Sequence, residues 1–398
     1  MEIEIRQLTV EEMPESLRLS QFAFQYTLTP EAAEEKLKQL KAEDFWGYFV
    51  NGRLAAKMAV YPMKTWLNGI RLEMGGVASV ATWPEYRRQG MVGKLLRQGL
   101  ETMRASGRTV SFLNPFSFSF YRKYGWETYT DYKKYSLETA QLPKFADPGG
   151  YMETTADTEL LNRIYEAYAV RYNGMLVRDE AWWKQKLFAG KPGTAAVYYD
   201  AEGSPAGYVY YRIANFEMTV HDIAFLDEGA RRGLWRFIAN HDSMIRSVTL
   251  KAPIDDPLPF LLDDPKIKQE IITYFMARIV DAEALLRQYP FAQGAKRRLM
   301  LEIEDAHAPW NDGLFEVRID EAGSAAVERH EKGTHDPKEG SGAEKRLACG
   351  IGTLTAMLFG YRKPLQLHAL GRLCGSGEAA AELEAALPAR TTYLADFF

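Results

Sequence analysis

Val77-Ala78-Ser79-Val80-Ala81-Thr82-Trp83-Pro84-Glu85-Tyr86-Arg87-Arg88-Gln89-Gly90-Met91-Val92-Gly93-Lys94-Leu95-Leu96 decides how this chain is read. Small and β-branched residues run up to Thr82, Pro84 stops them, a basic turn with glycine follows, and a helical pattern begins. Backbone N–H groups at a helix start have no intrahelical acceptor and sit at the positive end of the helix dipole. With Arg87 and Arg88 beside them they form a cradle for a pyrophosphate, and an anionic cofactor held there would extend back along the preceding strand. The alternative is a surface turn that opens an ordinary amphipathic helix. The strand before the turn and the helix after it are the context that favours the cradle.

The order Arg87-Arg88-Gln89-Gly90-Met91-Val92-Gly93 after a strand resembles the acetyl-CoA loop of the GNAT superfamily of N-acetyltransferases. Arg87, Gly90 and Gly93 carry the likeness. Val92 stands where that family usually has glycine or alanine, and Gly93 comes one place late.

Working outward, 398 residues are too many for one ordinary core and imply two or three domains. A composition of 46% hydrophobic and 26% charged residues is that of a globular protein. The net charge of -4 argues against a nucleic-acid binder that relies on phosphate contacts. Cys349 and Cys374 make no disulfide framework and fit no metal-site spacing, so both are expected to be buried apolar residues and no metal is expected. Met1-Glu2-Ile3-Glu4 lacks a basic-then-apolar leader, and no apolar run approaches the roughly 20 residues that span a bilayer. A cytoplasmic protein is expected.

Residues 1–138 parse as alternating elements. Asn51-Gly52 and Asn68-Gly69 are hairpin signals, Thr109 to Leu113 reads as a strand, Phe118 to Tyr124 as a short helix, and Glu127 to Ser136 as one last strand. The same order of strand, turn, strand, strand, helix, strand begins again near Tyr151, which predicts a duplicated unit over 139–288. At the decisive turn the second copy has Leu226-Asp227-Glu228-Gly229, whose carboxylates would repel a pyrophosphate. Residues 289–398 differ again. Gly323 to Lys345 is a polar, charged loop, Cys349 to Phe359 an apolar helix, Leu365 to His368 a strand, and the aromatic ending Tyr393-Leu394-Ala395-Asp396-Phe397-Phe398 is expected to pack into the protein. A mixed α/β or α+β fold follows, with sheets flanked by helices.

Together with Phe120-Tyr121-Arg122-Lys123-Tyr124-Gly125-Trp126 and Met276-Ala277-Arg278-Ile279-Val280-Asp281, these features resemble the Eis (enhanced intracellular survival) family of acetyltransferases over essentially the whole chain. The resemblance implies tandem GNAT folds over 1–138 and 139–288, the second degenerate, followed by a sterol-carrier-like α/β domain over 289–398. It also implies a homohexamer, acetyl-CoA as co-substrate, and amine acceptors such as aminoglycosides or lysine side chains. Two residues acquire roles by it: Tyr121 as general acid and the free α-carboxylate of Phe398 as general base. Without the resemblance, Tyr121 among Phe116, Phe118, Phe120, Tyr124 and Trp126 reads as a packing residue.

The backbone of Val80, Ala81 and Thr82 should pair with pantetheine amides, and Arg87, Arg88, Gln89, Gly90, Met91, Val92 and Gly93 should surround the pyrophosphate. The resemblance adds Phe116 and Ser117, although Phe116-Ser117-Phe118-Ser119 departs from the acidic and small residues usual there. For the acceptor, Phe22, Phe24, Tyr26, Trp46, Trp66 and Trp83 are open candidates, with Glu35, Asp44 and Glu85 as carboxylates. A competing, non-enzymatic reading gives the C-terminal domain a lipid or sterol-like ligand.

Overall fold

The computed structural model describes residues 2–330 and 346–398. In the first part of the chain, strands β1 (Ile3–Gln7), β2 (Phe45–Val50), β3 (Arg53–Leu67), β4 (Ile70–Thr82), β5 (Val110–Leu113) and β6 (Glu127–Thr128) alternate with helices α1 (Met13–Phe24), α2 (Pro30–Gln39), α3 (Met91–Ala105) and α4 (Phe118–Arg122). Next come β7 (Asp131–Glu138), β8 (Tyr151–Thr155), α5 (Thr158–Ala169), β9 (Thr194–Tyr199), β10 (Pro205–Ala214), β11 (Glu217–Phe225), α6 (Glu228–Ala239), β12 (Ser247–Ala252), β13 (Lys268–Thr273) and β14 (Met276–Ile279). The last part holds α7 (Ala282–Gln288), β15 (Arg297–Glu304), β16 (Gly313–Ile319), β17 (Ala325–His330), β18 (Arg346–Gly350), α8 (Ile351–Leu358), α9 (Pro364–Ala369) and α10 (Gly377–Ala386).

Both asparagine–glycine signals build the turns they predict. Asn51 and Gly52, and Asn68 and Gly69, take positive φ, the backbone of a two-residue hairpin turn. The strands form three sheets, ordered β1-β2-β3-β4-β5-β14-β6, β13-β7-β12-β11-β10-β9-β8 and β17-β16-β15-β18. The first two sheets exchange strands. The expected single strand from Glu127 to Ser136 breaks at buried Tyr129 and Thr130; β6 stays in the first sheet, and β7 pairs with β12 and β13 in the second. In return β14 inserts between β5 and β6.

Three other expectations are corrected. Leu365 to His368 lies in helix α9, which Pro364 opens at a first-turn position. Cys374 is exposed while Cys349 is buried. Part of the Gly323 to Lys345 loop is strand β17, and 331–345 lie outside the described residues. Among the described residues no helix is long and apolar enough to cross a membrane.

One apolar cluster joins all three sheets, running from Trp66, Met74 and Phe112 through Tyr165 and Tyr208 to Phe315, Leu354 and Leu394. Two buried cations sit within the frame. Arg278 of β14 donates to Asp305 at 3.0 and 2.8 Å and to the carbonyl of Tyr124 at 2.5 Å, which fixes the chain just after α4. Gly125 is left-handed there, and a side chain on it would run into the Arg278 guanidinium. Lys57, in an otherwise apolar stretch of β3, is fully buried and donates to Ser16 at 2.9 Å and Ser20 at 2.5 Å. Burial lowers its ammonium from about 10.5 to about 7.

Asp305→Ala leaves Arg278 charged and unpaired in the interior; a loss of about 3–5 kcal/mol in urea unfolding is expected. For Lys57 the depressed folded value means that stability is complete above the unfolded value of about 10.5 and is lost as pH falls toward about 7. Lys57→Met removes that loss. Urea unfolding of both proteins between pH 6.5 and 10.5 should show the variant gaining on wild type as pH falls, with the gap levelling near pH 7.

Candidate active site

Strands β4 and β5 run parallel through only three pairs, Met74↔Val110, Gly75↔Ser111 and Gly76↔Phe112. Beyond Gly76 the two strands part. β4 continues to Thr82 on its β3 partner, so its other edge offers unpaired backbone donors and acceptors toward the gap. Pro84 and Tyr86 then close a short 3₁₀ turn, and α3 starts at Met91.

The turn has the backbone of an anion cradle. Arg88 and Gly90 both have positive φ, at 64° and 75°, and Gly90 precedes the first helical residue. The amides of Met91, Val92 and Gly93 lie in the first helical turn, where no intrahelical acceptor exists. Among the described residues no carboxylate pairs with Arg87 or Arg88; Arg87 only leans on the Thr82 carbonyl at 3.4 Å. Gly93 must be small, because a Cβ there would come within 2.5 Å of the Tyr124 hydroxyl. These features fit a pyrophosphate.

A groove of about 580 Å³ joins the strand edge to the turn. It gathers Val80, Ala81, Thr82, Arg87, Arg88, Gly90, Met91, Val92, Gly93 and Phe116, with Phe24, Phe120 and Tyr124 completing the walls. Two of the expected residues are not in the lining. Gln89 turns its amide back to the Glu85 carbonyl, and Ser117 caps α4 by accepting from the Phe120 amide at 3.4 Å.

Tyr121 lies directly behind that wall, its ring against Phe116, Phe120 and Trp126. Among the described residues no group hydrogen-bonds its hydroxyl. Burial pushes the phenol well above the ordinary tyrosine value, so it stays protonated at working pH. Phe398, from the far end of the chain, packs on β4 at Gly76, where that strand leaves β5. Its ring packs on Phe275 with centroids 5.1 Å apart, and a Cβ on Gly76 would lie 2.8 Å from it. Tyr121 belongs to the apolar cluster under α3 that also contains Val77 of β4. Among the described residues no cation pairs with the terminal carboxylate.

Of the acceptor candidates, Phe24 is half exposed and lines the groove, and Phe22 stacks on Trp83 at 5.2 Å beside it. Trp66 is buried in the central cluster, away from these. Sequence reasoning missed Lys57 and Arg178. The signal for Lys57 was a lone cation inside Leu54-Ala55-Ala56-Lys57-Met58-Ala59-Val60; Arg178 gave none.

The second half shows the contrast. Asp227 caps α6, accepting from the Ala230 amide at 2.7 Å, so its own carboxylate occupies the helix N-terminus. Glu228 binds both Arg231 and Arg232. Every charge a pyrophosphate would use is already neutralised.

Comparison with known proteins agrees with this geometry. Acetyltransferase (GNAT) domain families match residues 4–129 and 174–279, and a sterol carrier protein domain family matches 282–395. The chain is 26% identical over 340 residues to an uncharacterized N-acetyltransferase of Streptomyces griseus, covering 77% of this chain and 80% of that one. It is also 26% identical over 267 residues to the N-acetyltransferase Eis of Mycobacterium tuberculosis, covering 62% and 64%. A crystal structure from Enterococcus faecalis, described as a probable N-acyltransferase, superposes over both full chains with a TM-score of 0.91 at 29% identity. Eis1 from Mycobacterium abscessus, at 22% identity and a TM-score of 0.81 over both full chains, has the same fold. With tandem GNAT folds, one open cradle and a sterol-carrier-like third domain, the chain is a GNAT-type N-acetyltransferase.

Proposed function

We propose that this enzyme transfers acetyl from acetyl-CoA to primary amines on multi-amine small molecules, such as aminoglycosides, or on lysine side chains. The observation that carries the reading is the difference between the two turns. Arg87 and Arg88 stand unneutralised beside free helix-start amides, while Asp227 and Glu228 close the equivalent turn of the second half. Only the first half, within 1–138, then binds the cofactor; 139–288 and 289–398 complete the site and its frame. A homohexamer, which the resemblance implies, belongs to the same proposal. The lipid-carrier reading gains no support from α8, whose apolar residues pack into the central cluster.

GNAT acetyltransferases use acetyl-CoA, which when bound supplies a thioester whose departing sulfur has a thiol pKa of about 8.5. In this chain the α3 amides with Arg87 and Arg88 would hold the pyrophosphate, and the free edge of Val80 to Thr82 would pair with the pantetheine amides. Tyr121 would serve the departing sulfur as a proton donor. Its raised phenol makes full transfer uphill, so a hydrogen bond that strengthens as charge grows on sulfur is the larger part of its role. The Phe398 carboxylate handles the acceptor. At a reference pKa of about 3.5 it is a weak base toward an ammonium near 10. It therefore orients the acceptor and relays the proton through water to bulk solvent; because an adjacent carboxylate favours the charged ammonium, the fraction of amine that has lost its proton is the one that attacks.

Tyr121→Phe and a variant extended by one glycine beyond Phe398 should each lose about 10²- to 10⁴-fold in kcat. Acetyl-CoA affinity, read by calorimetry, should not change. The test is thiol release with kanamycin and with a lysine-containing peptide. Full turnover by both variants would overturn the mechanism while leaving the fold intact.

A further inference from the structure

The last residues of the chain are held by the half that does not carry the open cradle. Asp396, only 3% exposed, receives the Arg178 guanidinium at 2.8 Å, the Trp182 indole N–H at 2.9 Å and the Tyr165 hydroxyl at 3.3 Å. Its backbone carbonyl accepts from the Tyr274 hydroxyl at 2.8 Å. Arg178, equally buried, also donates to Asp222 of β11 at 2.5 Å, and Asp222 accepts from Tyr208 at 2.6 Å. Burial works against the charged guanidinium, but Asp222 and Asp396 on either side keep its pKa well above the ordinary value. Just upstream, Tyr393 donates its amide to Asn173 at 3.0 Å. Phe397, by contrast, is 56% exposed.

This is more holding than a chain end needs, since termini are usually mobile unless tied down. We propose that Arg178 is a positioning residue: by clamping Asp396 against the second half it fixes where the carboxylate of Phe398 stands. The proposal rests on the role given to that carboxylate above. Its geometry is short-range. Two residues span at most about 7 Å, so a fixed Asp396 confines the carboxylate to a small volume, and the Phe398 ring, held against Gly76 and Phe275, selects the direction. The ordering is in place before any acceptor arrives. The second half has thus exchanged a cofactor site for the task of holding one end of the chain in the first half's site.

The charge balance supplies a clean variant. Arg178 faces two carboxylates, so Asp396→Asn leaves a neutral buried Arg178–Asp222 pair and the fold is retained, whereas Arg178→Met would leave two carboxylates facing each other. Tyr274→Phe loosens the same residue through its carbonyl and serves as a second variant. Full-length Asp396→Asn should keep its circular dichroism and melting temperature within a few degrees of wild type. Carboxypeptidase A should release Phe398 from it at least tenfold faster. With kanamycin as acceptor its kcat should fall by about 10- to 100-fold at unchanged acetyl-CoA KM, as expected for a misplaced group. In the glycine-extended background the same substitution should add no further loss. Equal rates of Phe398 release from wild type and both variants would overturn the clamp, as would an additive loss of kcat in the extended background. If the extension alone costs nothing, the carboxylate's role fails, and the rate of Phe398 release still decides whether the clamp exists.

Discussion

The site depends on the parting of β4 from β5 after Gly76. Parallel strands pair through evenly spaced bonds, and stopping after three pairs leaves backbone groups on β4 facing a gap instead of a neighbour. Such an edge is costly unless a ligand or another segment satisfies it. Here the exchanged strand β14 keeps β5 fixed from its far side, so the gap cannot close by letting β5 slide toward β4. Arg278 in that strand ties down the residues that follow α4, and α4 carries Tyr121. A buried ion pair with Asp305 of the third domain thereby sets one wall of a site in the first.

Duplication produced two turns of the same fold with opposite electrostatics. In the first, αL residues at 88 and 90 aim amides into open space beside two unpaired arginines. In the second, the Asp227 side chain caps α6 at the Ala230 amide, and Glu228 takes up Arg231 and Arg232. Both arrangements satisfy the rule that helix-start donors find an acceptor. The second does so with its own Asp227 carboxylate; the first leaves room for a partner that brings negative charge.

Much of this was legible in the chain because it is written locally. A strand, a proline stop, a basic glycine turn and a helix occupy consecutive residues, and Asn-Gly pairs specify their turns without help from elsewhere. The duplicated order showed too, since each half repeats the same hydrophobic periods. What stayed hidden was non-local. β7 and β14 look like the last strands of their own halves, and no residue in either announces which sheet it joins. α9 has a short apolar run that periodicity cannot distinguish from a strand. Gln89 and Ser117 sit in the right sequence window, but backbone geometry turns one away and commits the other to a cap. Arg178 follows Met175-Leu176-Val177 with no local partner to mark it, and its partners come from residues 222 and 396.

The two halves also differ at a second equivalent position, and this explains why Asp396 is held by the second half. Lys57 pairs with Ala81 across β3 and β4, as Tyr208 pairs with Ala224 across β10 and β11, and Ser79 and Asp222 stand at matching distances from the ends of β4 and β11. In the first half this face buries a lysine among Ser16 and Ser20, with Ser20 reaching Ser79 at 3.2 Å, and among the described residues no carboxylate pairs with the ammonium. In the second half the same face presents Asp222, and Arg178 answers it. One guanidinium beside one carboxylate is balanced, yet its remaining donors still need acceptors in a dry interior, and Asp396 supplies them. The chain end is therefore drawn to the second half by an unmet hydrogen-bonding demand. Because the exchanged strands hold the two sheets together, an anchor in one half is a fixed distance from the gap in the other.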